Sequence, residues 1–325
     1  MMLTIENLRV DFAVDSGIQR KQTLQAVRGV SLELDQGETV AIVGESGSGK
    51  SQLFNALMGL LPPNGSAHGS VSFNQQALLN QSDKSLNKIR GKEIGMIFQD
   101  PMTALNPYLR IGKQLTEVLE VHEGANFNKE SAKRRAIEML DRVKIKDPEQ
   151  RFNSYPHELS GGMRQRVVIA MALLCKPKLI IADEPTTALD VTVQTEIIRL
   201  LKDIYRQEKT SIVLITHDLP LVAGLCDRII VMYAGKIVET GTVDEIFYEA
   251  KHPYTQALLA ATPTNTEKSG KMLAIDGQPP DPLNLPAGCA FSPRCAFVEE
   301  RCKTDSPPER KIDAGHLVSC FREDI

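Results

Sequence analysis

A glycine-rich octapeptide placed directly after an apolar run constrains the fold of this chain more than any other feature. The apolar run covers residues 39–43, and the octapeptide over residues 44–51 reads Gly-Glu-Ser-Gly-Ser-Gly-Lys-Ser. The pattern G-x-x-x-x-G-K-S between a strand and a helix is typical of a phosphate loop. Glycines let successive backbone N–H groups face the phosphates, the lysine adds a positive charge, and the serine hydroxyl can ligate Mg²⁺. The sequence therefore predicts an α/β fold with a nucleotide-phosphate site built from Gly44, Glu45, Ser46, Gly47, Ser48, Gly49, Lys50 and Ser51. A glycine turn without a ligand is the structural alternative.

Two further apolar runs end in side chains that suit phosphate chemistry. Residues 179–182 lead into Asp183 and Glu184, and the run over residues 211–216 precedes His217. In parallel α/β sheets, ligands gather at the carboxyl ends of the strands. There Asp183 could hold Mg²⁺, Glu184 could polarise a water for attack on the γ-phosphate, and His217 could bridge that phosphate and the water-activating carboxylate. We therefore predict ATP hydrolysis with Glu184 and His217 as catalytic residues. Solvated acids at a strand end and a structural histidine are the alternatives.

The segment Leu-Ser-Gly-Gly-Met over residues 159–163 separates this chain from other proteins with phosphate loops. With this segment the chain resembles the ATPase subunits of ABC transporters, and within them those of oligopeptide and dipeptide importers. The resemblance implies an ABC-type ATPase domain with a RecA-like core, an antiparallel β subdomain and an α-helical subdomain. It also implies that Ser160, Gly161 and Gly162, at the start of a helix, bind the ATP held by the phosphate loop of a second ATPase subunit. Met163 stands where the family usually has glutamine, a variant that importers of this kind commonly carry. A glycine turn that merely starts a helix is the alternative.

The same resemblance assigns roles to three isolated residues. Gln99 matches the Q-loop glutamine, which senses Mg²⁺ and couples to the membrane subunits. Phe12 matches the aromatic residue that stacks on adenine, where the family more often has tyrosine, and Asp190 matches the D-loop aspartate. The implied Mg²⁺ ligands are then Ser51, Gln99 and Asp183. As alternatives, Gln99 is a surface amide before a proline turn and Phe12 is a core residue.

The sequence pattern divides the chain into an ATPase domain over residues 1–250 and a C-terminal extension over residues 251–325. Up to about residue 98 the pattern predicts an antiparallel β layer joined to an α/β core. Residues 100–165 are predicted to form the helical subdomain, because apolar side chains recur there at helical spacing. These side chains are Ala132, Ala136, Met139, Leu140 and Val143. Residues 228–239 are predicted to form a hairpin. The stretch His-Pro-Tyr at residues 252–254 opens an extension that resembles the one in peptide-importer ATPases.

Four of the six cysteines lie in the C-terminal extension, at Cys289, Cys295, Cys302 and Cys320. A loop-rich segment needs a staple, and disulfides are a poor one in a reducing cytosol, so four thiolates could instead hold a metal centre. Their spacing, C-x₅-C-x₆-C-x₁₇-C, matches neither the usual zinc knuckles nor a standard ferredoxin run and does not choose the metal. The segment over residues 288–295 resembles the cysteine-rich tail of dipeptide-type importer ATPases, which implies a [4Fe–4S] cluster. Zn²⁺, with His316 as a further ligand, and unligated thiols are the alternatives.

Charge and hydropathy limit the classes of partner. The chain has 325 residues, with 38 Lys and Arg against 41 Asp and Glu, and this near neutrality argues against a general nucleic-acid binder. No apolar run approaches the ~18–20 residues that span a bilayer. No basic region followed by an apolar core is visible at the N-terminus, so no signal peptide is predicted. We therefore expect a cytosolic protein that takes its membrane path from other chains.

The resemblance implies a function as well as a fold. It implies an ATP-hydrolysing subunit that powers the import of oligopeptides or dipeptides through a multi-subunit ABC transporter. The expected partners are a second ABC ATPase subunit in a head-to-tail heterodimer, usually a paralogue in this subfamily, two transmembrane permease subunits and an external substrate-binding protein, with no nucleic acid. The expected location is peripheral, at the cytoplasmic face of the inner membrane. Related importers of nickel, glutathione or antimicrobial peptides are alternatives, because other chains select the cargo. A soluble ABC ATPase acting on nucleic acid is an alternative of another class.

Overall fold

The computed structural model describes residues 1–15, 21–187, 189–262, 275–313 and 315–323. The strands in these ranges are β1 (Leu3–Asp15), β2 (Lys21–Leu34), β3 (Thr39–Val43), β4 (Gly65–Phe73), β5 (Gln76–Ala77), β6 (Ile94–Ile97), β7 (Leu179–Asp183), β8 (Ser211–Thr216), β9 (Arg228–Tyr233), β10 (Lys236–Thr242), β11 (Arg310–Lys311) and β12 (Leu317–Val318). The helices are α1 (Lys50–Leu57), α2 (Asp83–Leu86), α3 (Pro101–Ala104), α4 (Ile111–Glu123), α5 (Lys129–Arg142), α6 (Pro148–Phe152), α7 (Gly161–Leu173), α8 (Val191–Glu208), α9 (Leu219–Ala223), α10 (Val243–Glu249), α11 (Pro253–Ala260) and α12 (Glu300–Thr304). None of the helices in these ranges is both long enough and apolar enough to cross a membrane.

The chain forms two compact units, and each consists of segments that are not contiguous in the sequence. The first unit consists of Met1–Asp35, Thr39–Gln81 and Ile215–Ile325, and the second of Gln36–Glu38 and Ser82–Leu214. The first unit therefore gathers the phosphate loop and the C-terminal extension, which are far apart in sequence. The second unit holds the segments around Gln99, Glu184 and the Leu-Ser-Gly-Gly-Met motif.

An antiparallel sheet in the first unit confirms the predicted β layer. Its strand order is β2-β1-β4-β5. Leu3 of β1 lies opposite Leu34 of β2 on one side and Phe73 of β4 on the other. All three side chains are buried. Long-range strand pairs of this kind bury one face of the sheet and so fix its register.

A second series of strands in the first unit runs in the order β11-β12-β10-β9-β3. Strand β9 is parallel to β3, and β9 and β10 form the predicted hairpin, with Lys236 opposite Tyr233. The turn residues Ala234 and Gly235 both have positive φ angles, as tight hairpin turns require. Beyond the hairpin, β10 pairs with β12, so strands of the C-terminal extension continue the sheet.

The C-terminal extension is part of the first unit rather than a compact unit of its own. Glu239 of β10, which is 0% exposed, anchors it. Its carboxylate accepts hydrogen bonds from the backbone N–H groups of Lys251, at 2.6 Å, and His252, at 3.0 Å. Nε2 of His316 lies 2.8 Å from the same carboxylate. A buried carboxylate needs such partners to remain in the core. A separate C-terminal accessory domain is therefore not shown, because buried polar contacts join these residues to β10.

The second unit contains parallel strands and the predicted helical insert. Strands β6 and β7 are parallel, with Met96 opposite Ile181, and β8 neighbours β7. Helices α3 to α6 follow β6 and precede the Leu-Ser-Gly-Gly-Met motif. In α5 the buried side chains are Ala132, Ala136, Met139 and Leu140, and Val143 just beyond is also buried. Periodicity alone thus identified the inward face of this helix correctly.

Candidate nucleotide site

The predicted phosphate loop lies between the end of β3 and the start of α1. A Cβ atom at Gly44 would overlap the carbonyl oxygen of Met232, and one at Gly49 would overlap that of Ala26. Both glycines also have positive φ angles, +152° and +96°, which other residues adopt only with strain. Among the described residues, no side chain caps the N-terminus of α1, where the helix dipole favours an anion. The loop therefore has the close backbone approach and the helix start that a phosphate site needs.

The side chain of Lys50 lies over the loop itself. It is buried, and its ammonium donates hydrogen bonds to the carbonyl oxygens of Gly44, at 2.7 Å, and Glu45, at 2.9 Å. The hydroxyl of Ser48 lies 3.3 Å from the same ammonium. Phosphate oxygens are acceptors of the same kind with more negative charge. The ammonium is therefore held where the loop can offer it to a phosphate. Ser46 and Gly47 are exposed, and Ser51 is half-buried in the first turn of α1.

Glu45 makes contacts that the sequence did not predict. Its backbone N–H donates to the hydroxyl of Tyr254 at 2.7 Å, and its carboxylate accepts two hydrogen bonds from the guanidinium of Arg294, at 2.6 and 3.1 Å. Burial alone would lower the pKa of Arg294, but hydrogen bonds to Glu45 and to Tyr233 outweigh it and raise that pKa. The partners are 209 and 249 positions away. In the sequence, Tyr254 stood out only as part of the His-Pro-Tyr stretch and Arg294 only as the neighbour of Cys295.

Phe12 and His217 both lie in the first unit. Phe12 is in β1, opposite Gly65 of β4, and a Cβ at that glycine would lie 2.8 Å from the Phe12 ring. Phe12 is half-buried. His217 directly follows the fully buried strand β8 and is exposed. Burial raises the pKa of the next residue, Asp218, and the charge of His217 lowers it in part. The assigned roles of Phe12 and His217 remain predictions.

In the second unit, the structure brings Gln99 and Glu184 together. Strand β7 ends at Asp183, which is 8% exposed. The carboxylate of Glu184 accepts hydrogen bonds from the side-chain amide of Gln99, at 3.0 Å, and from the hydroxyl of Thr187, at 2.8 Å. Glu184 also has a φ angle of +44°, a conformation that non-glycine residues adopt mainly where the surroundings hold them there. The predicted catalytic carboxylate is thus oriented by two side chains, of which Thr187 was not predicted.

The Leu-Ser-Gly-Gly-Met motif forms the start of α7, as predicted. Ser160 is the N-cap residue, and its hydroxyl accepts a hydrogen bond from the backbone N–H of Met163 at 3.3 Å. Ser160 and Gly161 are both exposed. The guanidinium of Arg164 donates to the carbonyl oxygen of Pro156 at 2.7 Å, which holds the helix against the preceding turn. An exposed helix start with small residues can approach a ligand of another molecule closely.

The D-loop residue Asp190 lies near the same motif. It is the N-cap residue of α8, and its carboxylate accepts a hydrogen bond from the backbone N–H of Val193 at 3.0 Å. A Cβ atom at Gly162 would lie 2.8 Å from the side chain of that valine. Gly162 therefore allows close approach between the first turns of α7 and α8. The structure thus brings the predicted motif residues and Asp190 together within the second unit.

The four cysteines of the C-terminal extension surround one small cavity. Cys289, Cys295, Cys302 and Cys320 all line it and are all free thiols, and its volume is about 20 Å³, the space of about one water molecule. Burial raises the pKa of the thiols of Cys289, Cys295 and Cys320. Within the described ranges, however, no group of three or more His, Cys, Asp or Glu residues is arranged so that it could hold a metal ion. The predicted metal site is therefore not shown. His316 does not line the cavity and instead contacts Glu239.

Comparison with protein families separates two regions of the chain. Residues 27–187 match the family described as ABC transporter, which covers the phosphate loop and the Leu-Ser-Gly-Gly-Met motif. Residues 238–302 match the family described as oligopeptide/dipeptide transporter, C-terminal region, which begins within β10 and includes Tyr254 and Arg294. The two matches agree with the resemblance found in the motifs.

Similar proteins cover nearly the whole chain. The oligopeptide transport ATP-binding protein OppD of Salmonella typhimurium is 50% identical over 322 residues, covering 99% of this chain and 94% of that protein. OppD of Bacillus subtilis is 53% identical over 324 residues, covering 98% and 88%. The dipeptide transport ATP-binding protein DppD of Bacillus subtilis is 48% identical over 325 residues, covering 99% and 95%. A solved dimeric bacterial ABC transporter cassette is 30% identical with a TM-score of 0.66, covering 74% of this chain and 99% of that one. The chain therefore belongs to the ABC transporter family, and within it to the ATP-binding proteins of oligopeptide and dipeptide transporters.

Proposed function

We propose that this chain is the ATP-hydrolysing subunit that powers the import of oligopeptides or dipeptides across the cytoplasmic membrane. The observation that carries the proposal is the match of nearly the full chain, at 48–53% identity, to oligopeptide and dipeptide transport ATP-binding proteins. The geometry within each unit supports it, because one unit contains the phosphate loop and the other contains an oriented carboxylate at Glu184. Clamp closure on ATP and reopening after hydrolysis would drive the membrane subunits.

Each candidate residue has a chemical role in this proposal. Lys50 and the loop amides neutralise charge on the phosphates, and preorganised donors of this kind supply most of the catalysis in phosphoryl transfer. Glu184 orients the attacking water. Its carboxylate is held by hydrogen bonds from the side chains of Gln99, at 3.0 Å, and Thr187, at 2.8 Å. His217 supports the γ-phosphate. Phe12 stacks on the adenine base.

Mg²⁺ is the metal ion implied for the ATP site. The residues proposed for it, Ser51, Gln99 and Asp183, carry the hydroxyl, amide and carboxylate oxygens that Mg²⁺ prefers. When bound, Mg²⁺ would offset the negative charge of the phosphates. Lys50 supplies a positive charge of its own to the phosphates, so a Lys50→Ala variant should weaken ATP binding even when Mg²⁺ is saturating.

The exposed start of α7 supports one of the proposed partners, a second ATPase subunit. Ser160 and Gly161 are exposed, as residues that bind the ATP of a second subunit must be before assembly. We propose a head-to-tail pair with a paralogous ATPase subunit, two permease subunits, an external substrate-binding protein and a peripheral location at the cytoplasmic face of the inner membrane. A similar cassette has been solved as a dimer bound to ADP and Pi.

The proposal is tested by ATPase and transport assays on the complex in proteoliposomes. Glu184→Gln should retain ATP binding and lose turnover by at least ~100-fold, because the water loses its base. Glu120→Gln changes an exposed carboxylate of α4, paired with Lys113 at 3.3 Å, and should leave turnover unchanged. Uptake of labelled di- and oligopeptides should require ATP. Rapid turnover by the Glu184→Gln complex would contradict the assignment, as would transport of nickel, glutathione or antimicrobial peptides but not of ordinary peptides. ATPase activity stimulated by DNA and not by the permeases would indicate the nucleic-acid class instead.

We further propose that the four cysteines of the extension bind a [4Fe–4S] cluster, with Zn²⁺ as the alternative. Thiolates are the ligands of both centres, and four free thiols line one cavity. A cluster requires the thiols to move apart, because the cavity has a volume of only about 20 Å³. Metal analysis and a visible spectrum on anaerobically purified protein test this. Iron and sulfide near four per chain, with broad absorption around ~400 nm that Cys295→Ser loses, would support the cluster. Zinc would support the alternative, and no metal would refute both.

A further inference from the structure

Arg294 of the C-terminal extension contacts the phosphate loop through a network of hydrogen bonds made by its guanidinium. Its guanidinium donates to both carboxylate oxygens of Glu45, to the hydroxyl of Tyr233 at 3.3 Å and to the carbonyl oxygen of Ile275 at 3.2 Å. Its Nε donates to the carbonyl oxygen of Asp276 at 2.9 Å. The side chain of Arg294 is only 4% exposed and that of Glu45 is 24% exposed. A planar, bidentate guanidinium with this many partners is held in one geometry. Arg294 is therefore a fixed positive charge placed on the carboxylate of the loop.

Tyr254 holds the backbone of the same loop residue. Its side chain is 0% exposed, and its ring lies 4.5 Å from the ring of Tyr233 and 5.4 Å from that of Phe291, measured between centroids. Its hydroxyl accepts the backbone N–H of Glu45 at 2.7 Å. Because the aromatic cluster fixes the ring, the hydroxyl is a rigid acceptor. The main chain and the side chain of Glu45 are thus both fixed by residues beyond position 250.

Glu45 also connects this contact to the phosphate-binding lysine. Its carbonyl oxygen accepts the ammonium of Lys50, at 2.9 Å, and the backbone N–H of Ser48, at 3.2 Å. On the other side of the loop, the carbonyl oxygen of Ser48 accepts the backbone N–H of Gly235 at 3.0 Å. The residue whose backbone N–H and carboxylate the extension fixes therefore also positions the lysine through its carbonyl oxygen.

The charge of Glu45 makes the contact with Arg294 more than a structural support. A carboxylate within a phosphate loop repels the phosphates that the loop must bind. Arg294 offsets that charge and at the same time removes freedom that the loop would otherwise lose on binding. Both effects act on the affinity for nucleotide. Neither acts on the attacking water, which Glu184 orients.

We propose that Arg294 and Tyr254 are positioning residues for ATP: through Glu45 the C-terminal extension shapes and charge-balances the phosphate loop, so that it sets nucleotide affinity more than turnover. The proposal rests on the proposed ATPase function for its readout. It predicts that ATP binding depends on residues that do not touch the nucleotide. It also predicts the direction of each change in ATP affinity. Substitution of Glu45 by a neutral residue removes the charge that Arg294 balances, whereas loss of Arg294 or Tyr254 removes a contact that shapes the loop.

The test measures ATP affinity by titration of a fluorescent ATP analogue, together with kcat and KM, on the full-length chain in its complex. Arg294→Ala should raise Kd and KM about tenfold, the effect of one charge-assisted hydrogen-bonded pair, and leave kcat within about twofold. Tyr254→Phe removes one hydroxyl and should raise Kd by a few fold. Adding Glu45→Gln to Arg294→Ala should recover part of the lost affinity, because it removes the uncompensated carboxylate. The recovery should appear in Kd at a temperature where both variants remain folded, a result that a role in stability alone would not produce.

Arg301→Ala is the matched control. Like Arg294, Arg301 precedes a cysteine of the extension, but it donates to Glu299 at 2.7 Å and to the carbonyl oxygen of Phe321 at 3.0 Å and not to the loop. Its substitution should leave Kd unchanged. An unchanged Kd in both Arg294→Ala and Tyr254→Phe would overturn the proposal, and so would an equal rise in Arg301→Ala. If Arg294→Ala does not fold, Tyr254→Phe and the double variant decide. ATP hydrolysis by the wild-type complex supports the proposed function whatever these variants do.

Discussion

His252 should make the stability of this protein depend on pH in a defined direction. It is 1% exposed, and its Nδ1 accepts the backbone N–H of Tyr254 at 3.0 Å, which caps α11. Burial lowers the pKa of His252 from 6.5 to about 3. The folded pKa is below the unfolded one, so the contribution to stability is complete above pH 6.5 and is lost as the pH falls toward 3.

The size of this effect follows from the shift. A difference of about 3.5 pKa units at ~1.36 kcal/mol per unit corresponds to roughly 5 kcal/mol over the whole range. Between pH 7.5 and pH 5.0 the expected loss is about 2 kcal/mol. His252→Asn is the informative comparison, because asparagine can accept the same N–H group at the helix N-cap but does not titrate. The wild type should therefore lose about 2 kcal/mol more than the variant over this pH range.

The assay is urea unfolding followed by circular dichroism at several pH values, since the chain has no tryptophan. NMR of ring-labelled histidine on the folded protein gives a direct second readout, in which His252 should not titrate above pH 5. Equal loss of stability in the wild type and in His252→Asn would refute the reasoning, as would a folded His252 that titrates near pH 6.5.

Three further predictions concern buried contacts. Gly44→Ala should weaken ATP binding about tenfold or more, because its Cβ would overlap the carbonyl oxygen of Met232 and its φ angle is +152°; an unchanged Kd in the analogue titration would contradict this. Glu239→Ala should cost about 3–5 kcal/mol of unfolding free energy, and Glu239→Gln clearly less because it keeps an acceptor; thermal unfolding of both variants checks the order. Arg166→Ala should cost about 1–3 kcal/mol, since Arg166 is 9% exposed in its side chain and donates to the carbonyl oxygen of Val143 at 2.8 Å. Arg166→Lys should recover part of that loss in the same assay.

Features with a short sequence period were predicted well. The glycines of the phosphate loop and the buried face of α5 follow from local spacing, because turns and helices are formed by near neighbours. That a helix follows the Leu-Ser-Gly-Gly-Met motif was also predicted, whereas the capping role of Ser160 emerges only from the structure. Most residues of the candidate nucleotide site could therefore be identified from the sequence, although their roles remain predictions.

Contacts between distant segments could not be predicted from a single sequence. Arg294 and Glu45 are 249 positions apart, and no local period relates them. The same holds for His316 and Glu239, 77 positions apart, whose contact joins the C-terminal extension to β10. The spacing of the four cysteines likewise indicated a cluster of thiols without choosing a metal. Pattern along the chain divided it near residue 250, whereas the compact units follow contacts in space.

The pairing of β12 with β10 also bears on the solubility of the chain. Strand β10 pairs with β9 along one edge and, at Glu239 and Thr240, with β12 along the other. Without β12 that second edge would present unpaired backbone groups on a strand whose residues 238–241 are buried. Strand edges with unpaired backbone groups are templates for intermolecular pairing and aggregation. A chain truncated after α11 should therefore self-associate. By pairing with β10, strand β12 protects one edge of the sheet that also contains β3, the strand leading into the phosphate loop.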